Sequence, residues 1–298
     1  MNREVWEDSV YSCHAAMYKM KRLSDKNVLI TGAASGIGRA TALVMGRERG
    51  RLFLTDIDGE GLRKTVDAIS KAGGTVCLAR AFDVGDYPAM HEFAIEIHEQ
   101  YGSLDVLINV AGIALFSQIE NIRHSDWEKV VHVNLWGVIH GLECFVPRMI
   151  SAGKGGHIVS VSSTAGLIGL PWHAAYAATK HAVVGISEVL RYDLRKHHIG
   201  VTVLCPGAVN TGLVSTANIR SDNKEAADKS RQLFRKIAIT PEKVADKIVK
   251  AIRADKFMVI TSLDIQLFYF VKRYCFPIYH LVMLTINHLM DKSLKRSI

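Results

Sequence analysis

Paired cysteines are missing from this sequence. Its five cysteines, Cys13, Cys77, Cys144, Cys205 and Cys275, lie far apart with no C-x-x-C spacing. That excludes a disulfide-stapled scaffold and a zinc ribbon, and it points to a reduced, cytoplasmic setting. Thirteen histidines include no H-E-x-x-H, and His197 and His198 in "KHHIG" read as a solvated helix end, so no metal site is expected. A basic face with interleaved aromatics is also lacking, which argues against nucleic acid as a partner despite a formal charge of +8. Residues 1–25 contribute zero to that charge, while 209–240 and 263–298 contribute +3 each. The excess therefore belongs mostly to one loop and one tail. No secretory leader is read at the start, where Glu4, Glu7 and Asp8 interrupt any apolar core. Internal repeats and low-complexity tracts are absent.

What is present is a rhythm of short aliphatic runs: "NVLIT" (27–31), "RLFLT" (51–55), "TVCLARAF" (75–82), "LDVLIN" (104–109), "GHIVSVS" (156–162), "VTVLC" (201–205) and "FMVIT" (257–261). Helix-length segments separate them. Continuous apolar strands alternating with helices predict an α/β fold, a doubly wound parallel sheet of seven strands with helices on both faces, in a single domain spanning 26–262. Residues 1–25 read as an N-terminal extension. The stretch 209–240 is long, charged and poor in apolar period, as functional loops are. Residues 263–298 form an aromatic, apolar tail whose longest uncharged run, 274–290, is short for a membrane span and broken by Pro277. The tail is expected to act as an amphipathic lid or to rest on a membrane surface with Lys272 and Arg273 at the headgroups, or to pack on a partner subunit.

The first strand runs into "TGAASGIG", with Gly32, Gly36 and Gly38 at a strand-to-helix junction. Glycines there let the backbone turn tightly and approach a pyrophosphate lying over the positive end of the next helix, with Ser35 and Ile37 beside it. The second strand ends at Asp56, whose carboxylate can accept from both ribose hydroxyls of an adenosine and would repel a 2′-phosphate. NAD is thus expected over NADP, and no basic residue precedes Gly36 to change that. Asp58 is the better candidate for capping the next helix. "FDV" places Asp83 and Val84 at the third strand's end for an adenine edge, and "NVAG" places Asn109, Ala111 and Gly112 at the fourth, where ligands collect in such sheets.

Tyr176 and Lys180 in "HAAYAATKHAVVG" stand four apart, so on a helix they share a face. A free phenol is a poor base near neutrality, and a nearby ammonium is expected to lower its pKa. That makes Tyr176 a candidate general acid/base.

Taken in order, "TGAASGIG", "DID", "FDV", "NVAG", "HVNLWG", "VSSTAG", "YAATK" and "CPGAVNTG" resemble the short-chain dehydrogenase/reductase family over roughly residues 26–261. The resemblance implies a Rossmann-type fold and hydride transfer with a nicotinamide. It implies that Lys180 also holds the nicotinamide ribose, and that Ser163, thirteen residues before Tyr176, binds the substrate oxygen. Strand alternation would turn the neighbouring Ser162 away. By the same resemblance Asn134 continues a proton relay to Lys180 through a water, Pro206 and Gly207 shape the loop beside the nicotinamide, Val209 donates a backbone N–H to its carboxamide, and Thr211 reaches the carboxamide or a phosphate. A homodimer or homotetramer through helices around 123–150 and 173–197 is implied too. Val110 departs from the pattern, since the family often has a second asparagine there.

The substrate wall is expected from Ile113, Leu115, Phe116, Leu167, Ile168, Leu170, Pro171 and Trp172, all apolar but for the indole N–H. The leading expectation is an NAD-dependent oxidoreductase for a secondary alcohol or ketone of a lipid, sterol or similar compound. An NADPH-preferring carbonyl reductase and a non-catalytic NAD-binding redox sensor stay open as alternatives.

Overall fold

The computed structural model describes residues 20, 22–211, 218–219 and 238–294, with side chains for all of these except 218–219 and 291–294. The expected N-terminal extension falls mostly outside the described residues, as does most of the long loop after Thr211.

β1 (Asn27–Thr31) is entirely buried and pairs in parallel with β2 (Arg51–Asp56) on one side and β4 (Val106–Asn109) on the other. β3 (Thr75–Ala81) extends the first side, while β6 (Gly156–Val161), β7 (Ile199–Cys205) and β9 (Met258–Ile260) extend the second. The result is a seven-stranded parallel sheet of order β3-β2-β1-β4-β6-β7-β9. Alternation along the strands divides the core. Val28 and Ile30 of β1, Leu52 and Leu54 of β2, and Val106 and Ile108 of β4 face one apolar layer, whereas Leu29, Phe53 and Leu107 face the other. Each fully buried aliphatic side chain contributes about 1.5–3 kcal/mol, so both faces must be covered. β3 is the exception: its residues are half-buried or exposed because it is an edge strand.

α1 (Gly36–Arg47), α2 (Gly59–Lys71) and α7 (Pro241–Ala254) cover the first layer. α3 (Tyr87–Tyr101) and α5 (Gly137–Ala152) cover the second, with the end of α6 (Ala174–Asp193). Local signals set the boundaries. Asp58 accepts from Gly61 N at the start of α2, as expected of it, Asp86 caps α3, and Thr240 caps α7 ahead of Pro241. The helix expected over 123–150 is instead α4 (His124–Val131) joined to α5 by a π-helical segment, His132–Trp136, in which Gly137 N bonds back to His132 O. Together they are long and apolar enough to cross a membrane, but their apolar side packs on the sheet.

The carboxyl ends of β1 and β4 diverge, because the chain leaves β1 for β2 and β3 on one side and returns to β4 on the other. Such a reversal opens a crevice. Above it, the two-residue strands β5 (Leu115–Phe116) and β8 (Asn218–Ile219) pair in parallel, and Val209 bridges to Ile239.

Two segments read as lying outside the catalytic domain pack against it. Met20 and Leu23, assigned to the extension, are buried in the first apolar layer. The tail is not a separate appendage: α8 (Leu263–Tyr274) and α9 (Phe276–Leu294) share a core with Leu167, Ile168, Val184, Val203 and Cys205 through Tyr279 and Met283.

Candidate active site

The glycine turn is forced by contact rather than by preference alone. Gly32 has φ +70° and Gly36 φ +51°, and a methyl on Gly38 would lie 1.9 Å from Gly32 O. Ser35 is the N-cap of α1 and makes no side-chain capping bond, which leaves the first-turn N–H groups directed outward. Thr211 closes over this turn, its methyl 3.0 Å from where a Cβ on Gly36 would sit. Ile37 lines the adjoining cavity.

Asp56 holds the far side of the turn. Its Oδ2 accepts from Ala34 N at 2.8 Å and its Oδ1 from Asp58 N at 3.0 Å, so the carboxylate is fixed at the end of β2 with lone pairs to spare. Asp83 accepts from Gly85 N at 2.9 Å, with His132 Nε2 3.4 Å from its other oxygen. Val84 is buried, and its carbonyl accepts from His140 Nδ1 at 3.0 Å. Asn109 behaves differently from expectation. Its amide is buried against α5, where a Cβ on Gly141 would meet its Oδ1 at 2.6 Å, so its side chain does not face the crevice. Ala111 lies against Gly32, its N and Cα each 2.9 Å from a Cβ built there. Thr31 Oγ1 accepts from both Val110 N and Ala111 N, at 3.0 and 3.1 Å, which ties this stretch to the end of β1. A sequence reading had not singled out Thr31, whose signal was only a hydroxyl at a strand's end.

A cavity of about 430 Å³ opens beside this crevice. Its polar end is formed by Ser163, Tyr176 and Lys180, with Gly112, Pro206, Gly207 and Val209 around it. Ser163 follows β6, accepts from Ala165 N at 3.1 Å and shares the cavity with the Tyr176 hydroxyl. Ser162 turns away and donates to Lys180 O at 2.8 Å, as alternation demands. Lys180 Nζ donates to Val161 O at 3.0 Å. Gly112 is required here, since a Cβ would stand 3.1 Å from Asn134 Oδ1 and 3.4 Å from Lys180 Nζ.

Asn134 is fully buried in the π segment, the kind of helical irregularity that gathers at functional sites. Its amide exchanges hydrogen bonds with both the N–H and the carbonyl of Ile113, at 2.8 and 2.9 Å, and reaches Thr179 Oγ1 at 3.3 Å. The side chain thus pins the loop after β4 to α6 behind Lys180.

The electrostatics correct one expectation. Burial pushes the Tyr176 phenol up from its ordinary pKa, and Ser163 beside it opposes that shift only in part. Burial likewise pulls Lys180 down to about 8. Both groups are driven toward their neutral forms.

Of the expected wall, Ile113, Phe116, Ile168 and Leu170 line the cavity, whereas Leu115 and Leu167 pack into the cores beneath. Pro171 and Trp172 do not line it. Four further residues contribute. His173 packs on Phe116 with ring centres 4.5 Å apart and donates Nδ1–H to Pro171 O at 2.6 Å. Its pKa is lowered by burial, which keeps the ring neutral. Ile265 and Phe268 of α8 and Ile286 of α9 close the apolar end. The tail is tied down by Tyr279, whose hydroxyl accepts from Gly169 N at 3.0 Å, and by Lys272, whose Nζ donates to Leu167 O at 2.6 Å. Lys272 therefore faces inward and is not the headgroup contact expected of it.

The short chain dehydrogenase family model matches residues 26–222. The Mycobacterium tuberculosis oxidoreductase SadH is 34% identical over 248 residues, covering 82% of this chain and 89% of that protein. The CLA biosynthesis dehydrogenase/reductase of Lactiplantibacillus plantarum is 35% identical over 258 residues, 81% of this chain and 90% of the relative. A solved short-chain dehydrogenase/reductase from Burkholderia phymatum, in complex with NAD, superposes with a TM-score of 0.78 at 29% identity, covering 87% of this chain and 96% of that one. With the glycine turn, the crevice and the matched residues in one place, the chain belongs to the short-chain dehydrogenase/reductase family of oxidoreductases.

Proposed function

We propose that this chain interconverts a secondary alcohol and a ketone on a hydrophobic compound, with NAD as redox partner and Tyr176 as proton donor and acceptor. The observation that carries the reading is the meeting of Ser163, Tyr176 and Lys180 at the polar end of an otherwise apolar cavity. The residues present fit NAD. The turn at Gly32, Gly36 and Gly38 has no room for a Cβ at its closest approach, the first-turn N–H groups of α1 are uncapped, and Asp56 offers acceptors where a 2′-phosphate would be repelled. The solved relative holding NAD supports the same choice. Asp56 weighs against an NADPH preference, and the intact Ser163, Tyr176 and Lys180 set weighs against a sensor that only binds.

NAD bound here supplies the acceptor or donor of hydride. Ser163 orients the substrate oxygen: its Oγ already accepts from Ala165 N, which leaves its own proton to donate. In reduction, the raised phenol of Tyr176 holds its proton and delivers it to the developing alkoxide. In oxidation, Tyr176 takes up the substrate's proton, with Lys180 standing 5.7 Å from the centre of its ring. Asn134 fixes the loop that carries Gly112 and so keeps Lys180 in place. Ile113, Phe116, Ile168 and Phe268 exclude water from the reacting carbon. The reading includes a homodimer or homotetramer through the helical stretches 123–150 and 173–197, supported by Trp136 of the π segment and Val189 and Tyr192 of α6 standing 48–72% exposed. It also places the enzyme in the cytoplasm.

The test is Tyr176→Phe assayed against a panel of hydrophobic alcohols by reduced-cofactor absorbance. NADH binding is expected unchanged and turnover lowered about 10²–10⁴-fold. Full turnover in that variant would overturn the assignment.

A further inference from the structure

Large apolar side chains that stand exposed are not scattered evenly. Of sixteen among the described residues, nine fall within residues 263–289, each 55–80% exposed. On α8 they are Leu263, Leu267, Phe270 and Tyr274, spaced i, i+4, i+7 and i+11, which is one stripe of a helix. On α9, Leu281 and Leu284 continue the surface opposite the buried Tyr279 and Met283. α9 thus carries large apolar side chains on both sides, with His280, Thr285, Asn287 and His288 exposed among them, and only one side is covered by protein. Such a patch rimmed by polar residues marks an interaction surface.

Charge decides between occupants. The tail carries Lys272, Arg273, Lys292, Lys295 and Arg296 against Asp264 and Asp291. Lys272 is turned inward to Leu167 O, but Arg273 beside it is exposed. A surface meeting a copy of itself would bring these cations together, whereas an acidic lipid surface would neutralise them. A second copy also has a separate candidate seat in exposed Trp136 of the π segment and Val189 and Tyr192 of α6. Finally, the inner face of these same helices supplies Ile265, Phe268 and Ile286 to the cavity.

We infer that the outer face of α8 and α9 docks on a lipid surface bearing acidic headgroups, lying in its plane and setting the apolar end of the cavity against it. Docking follows from the apolar stripe and the charge; only delivery of a lipid-dissolved substrate rests on the proposed function. Among the described residues the headgroup contact comes from Arg273, not from Lys272.

The experiment is co-sedimentation of the full chain with vesicles of phosphatidylcholine alone and of phosphatidylcholine mixed with phosphatidylserine. Binding is expected to be roughly tenfold tighter on the acidic vesicles, and to weaken as salt is raised. The double variant Leu267→Asp, Leu281→Asp changes two exposed side chains outside the cavity. It is expected to stay in the supernatant while keeping its circular-dichroism melt and its NADH affinity. Two results would overturn docking: wild-type protein that stays in the supernatant with both vesicle types, or a vesicle-free oligomer that the double variant dissociates. Because sedimentation is read without turnover, loss of the proposed activity would leave this result standing.

Discussion

The ammonium of Lys180 lies 5.7 Å from the centre of the Tyr176 ring and donates to the Val161 carbonyl. It is a charge held in a place that disfavours charge. Burial brings its pKa from 10.5 to about 8, so the folded state binds this proton less tightly than the unfolded state does. The unfolded chain therefore holds more protons between these two values, and stability contributed by this group rises across that window. It is fully present above about 10.5 and lost as pH falls through about 8. A shift of this size corresponds to about 3 kcal/mol. Lys180→Met is accordingly expected to be at least as stable as wild type at pH 7, with wild type gaining on it as pH rises. Denaturant melts of both proteins across that range check the sign, and a stability difference that does not move with pH would contradict it.

Asp56 gives a second test. Both of its oxygens are already held by backbone N–H groups, so the carboxylate is aimed before any ribose arrives. Asp56→Ser removes the charge and keeps a short acceptor. Affinity for NADH is expected to fall about tenfold, from the loss of charge-assisted hydrogen bonds, while NADPH affinity rises as repulsion is relieved. Fluorescence titration of the two reduced cofactors measures the ratio. A wild-type protein that binds both equally would show that Asp56 does not select.

Two glycines separate contact from conformation. At Gly38 an added methyl meets the Gly32 backbone on a turn with nowhere to move, whereas at Gly185 in α6 nothing lies within 4 Å. Gly38→Ala is expected to destabilise by roughly 1–3 kcal/mol and to lose cofactor binding. Gly185→Ala is expected to stabilise by about 0.5–1 kcal/mol through helix propensity alone. Thermal melts with and without NADH distinguish the two, since only Gly38→Ala forfeits the shift on adding cofactor.

These outcomes follow how far the sequence could be read. The spacing of Tyr176 and Lys180 placed both on one helix face, and the glycine spacing announced the turn, because each is a local relation between neighbours in the chain. The apolar runs marked the strands for the same reason, although β3 was read as a buried strand and lies at the edge. Long-range relations were not legible. Nothing local reveals that Thr31 holds Val110 and Ala111, that Asn109 faces α5, or that burial outweighs Lys180 in setting the Tyr176 phenol. The tail was legible as amphipathic, but not which face it turns inward. That choice depends on partners a hundred residues away, such as Gly169 for Tyr279.

Phe268 decides whether the tail belongs to the substrate wall. It lines the cavity, and its ring packs on Tyr279 with centres 5.4 Å apart, so it is fixed by the same residue that anchors α9 to Gly169. Truncation removes apolar surface from the end of the cavity opposite Ser163 and Tyr176 without touching either. Phe268→Ala is expected to raise KM for bulky apolar alcohols roughly tenfold, the equivalent of about 1.4 kcal/mol of lost apolar contact. The smallest alcohols accepted, which do not reach that end, should keep their KM, and NADH affinity should stay as it was. Steady-state kinetics over a series of increasing chain length give the comparison. A uniform change along the series would mean that the tail acts on the fold as a whole. A KM penalty that grows with length assigns Phe268, and with it α8, to the wall that receives the substrate's apolar end.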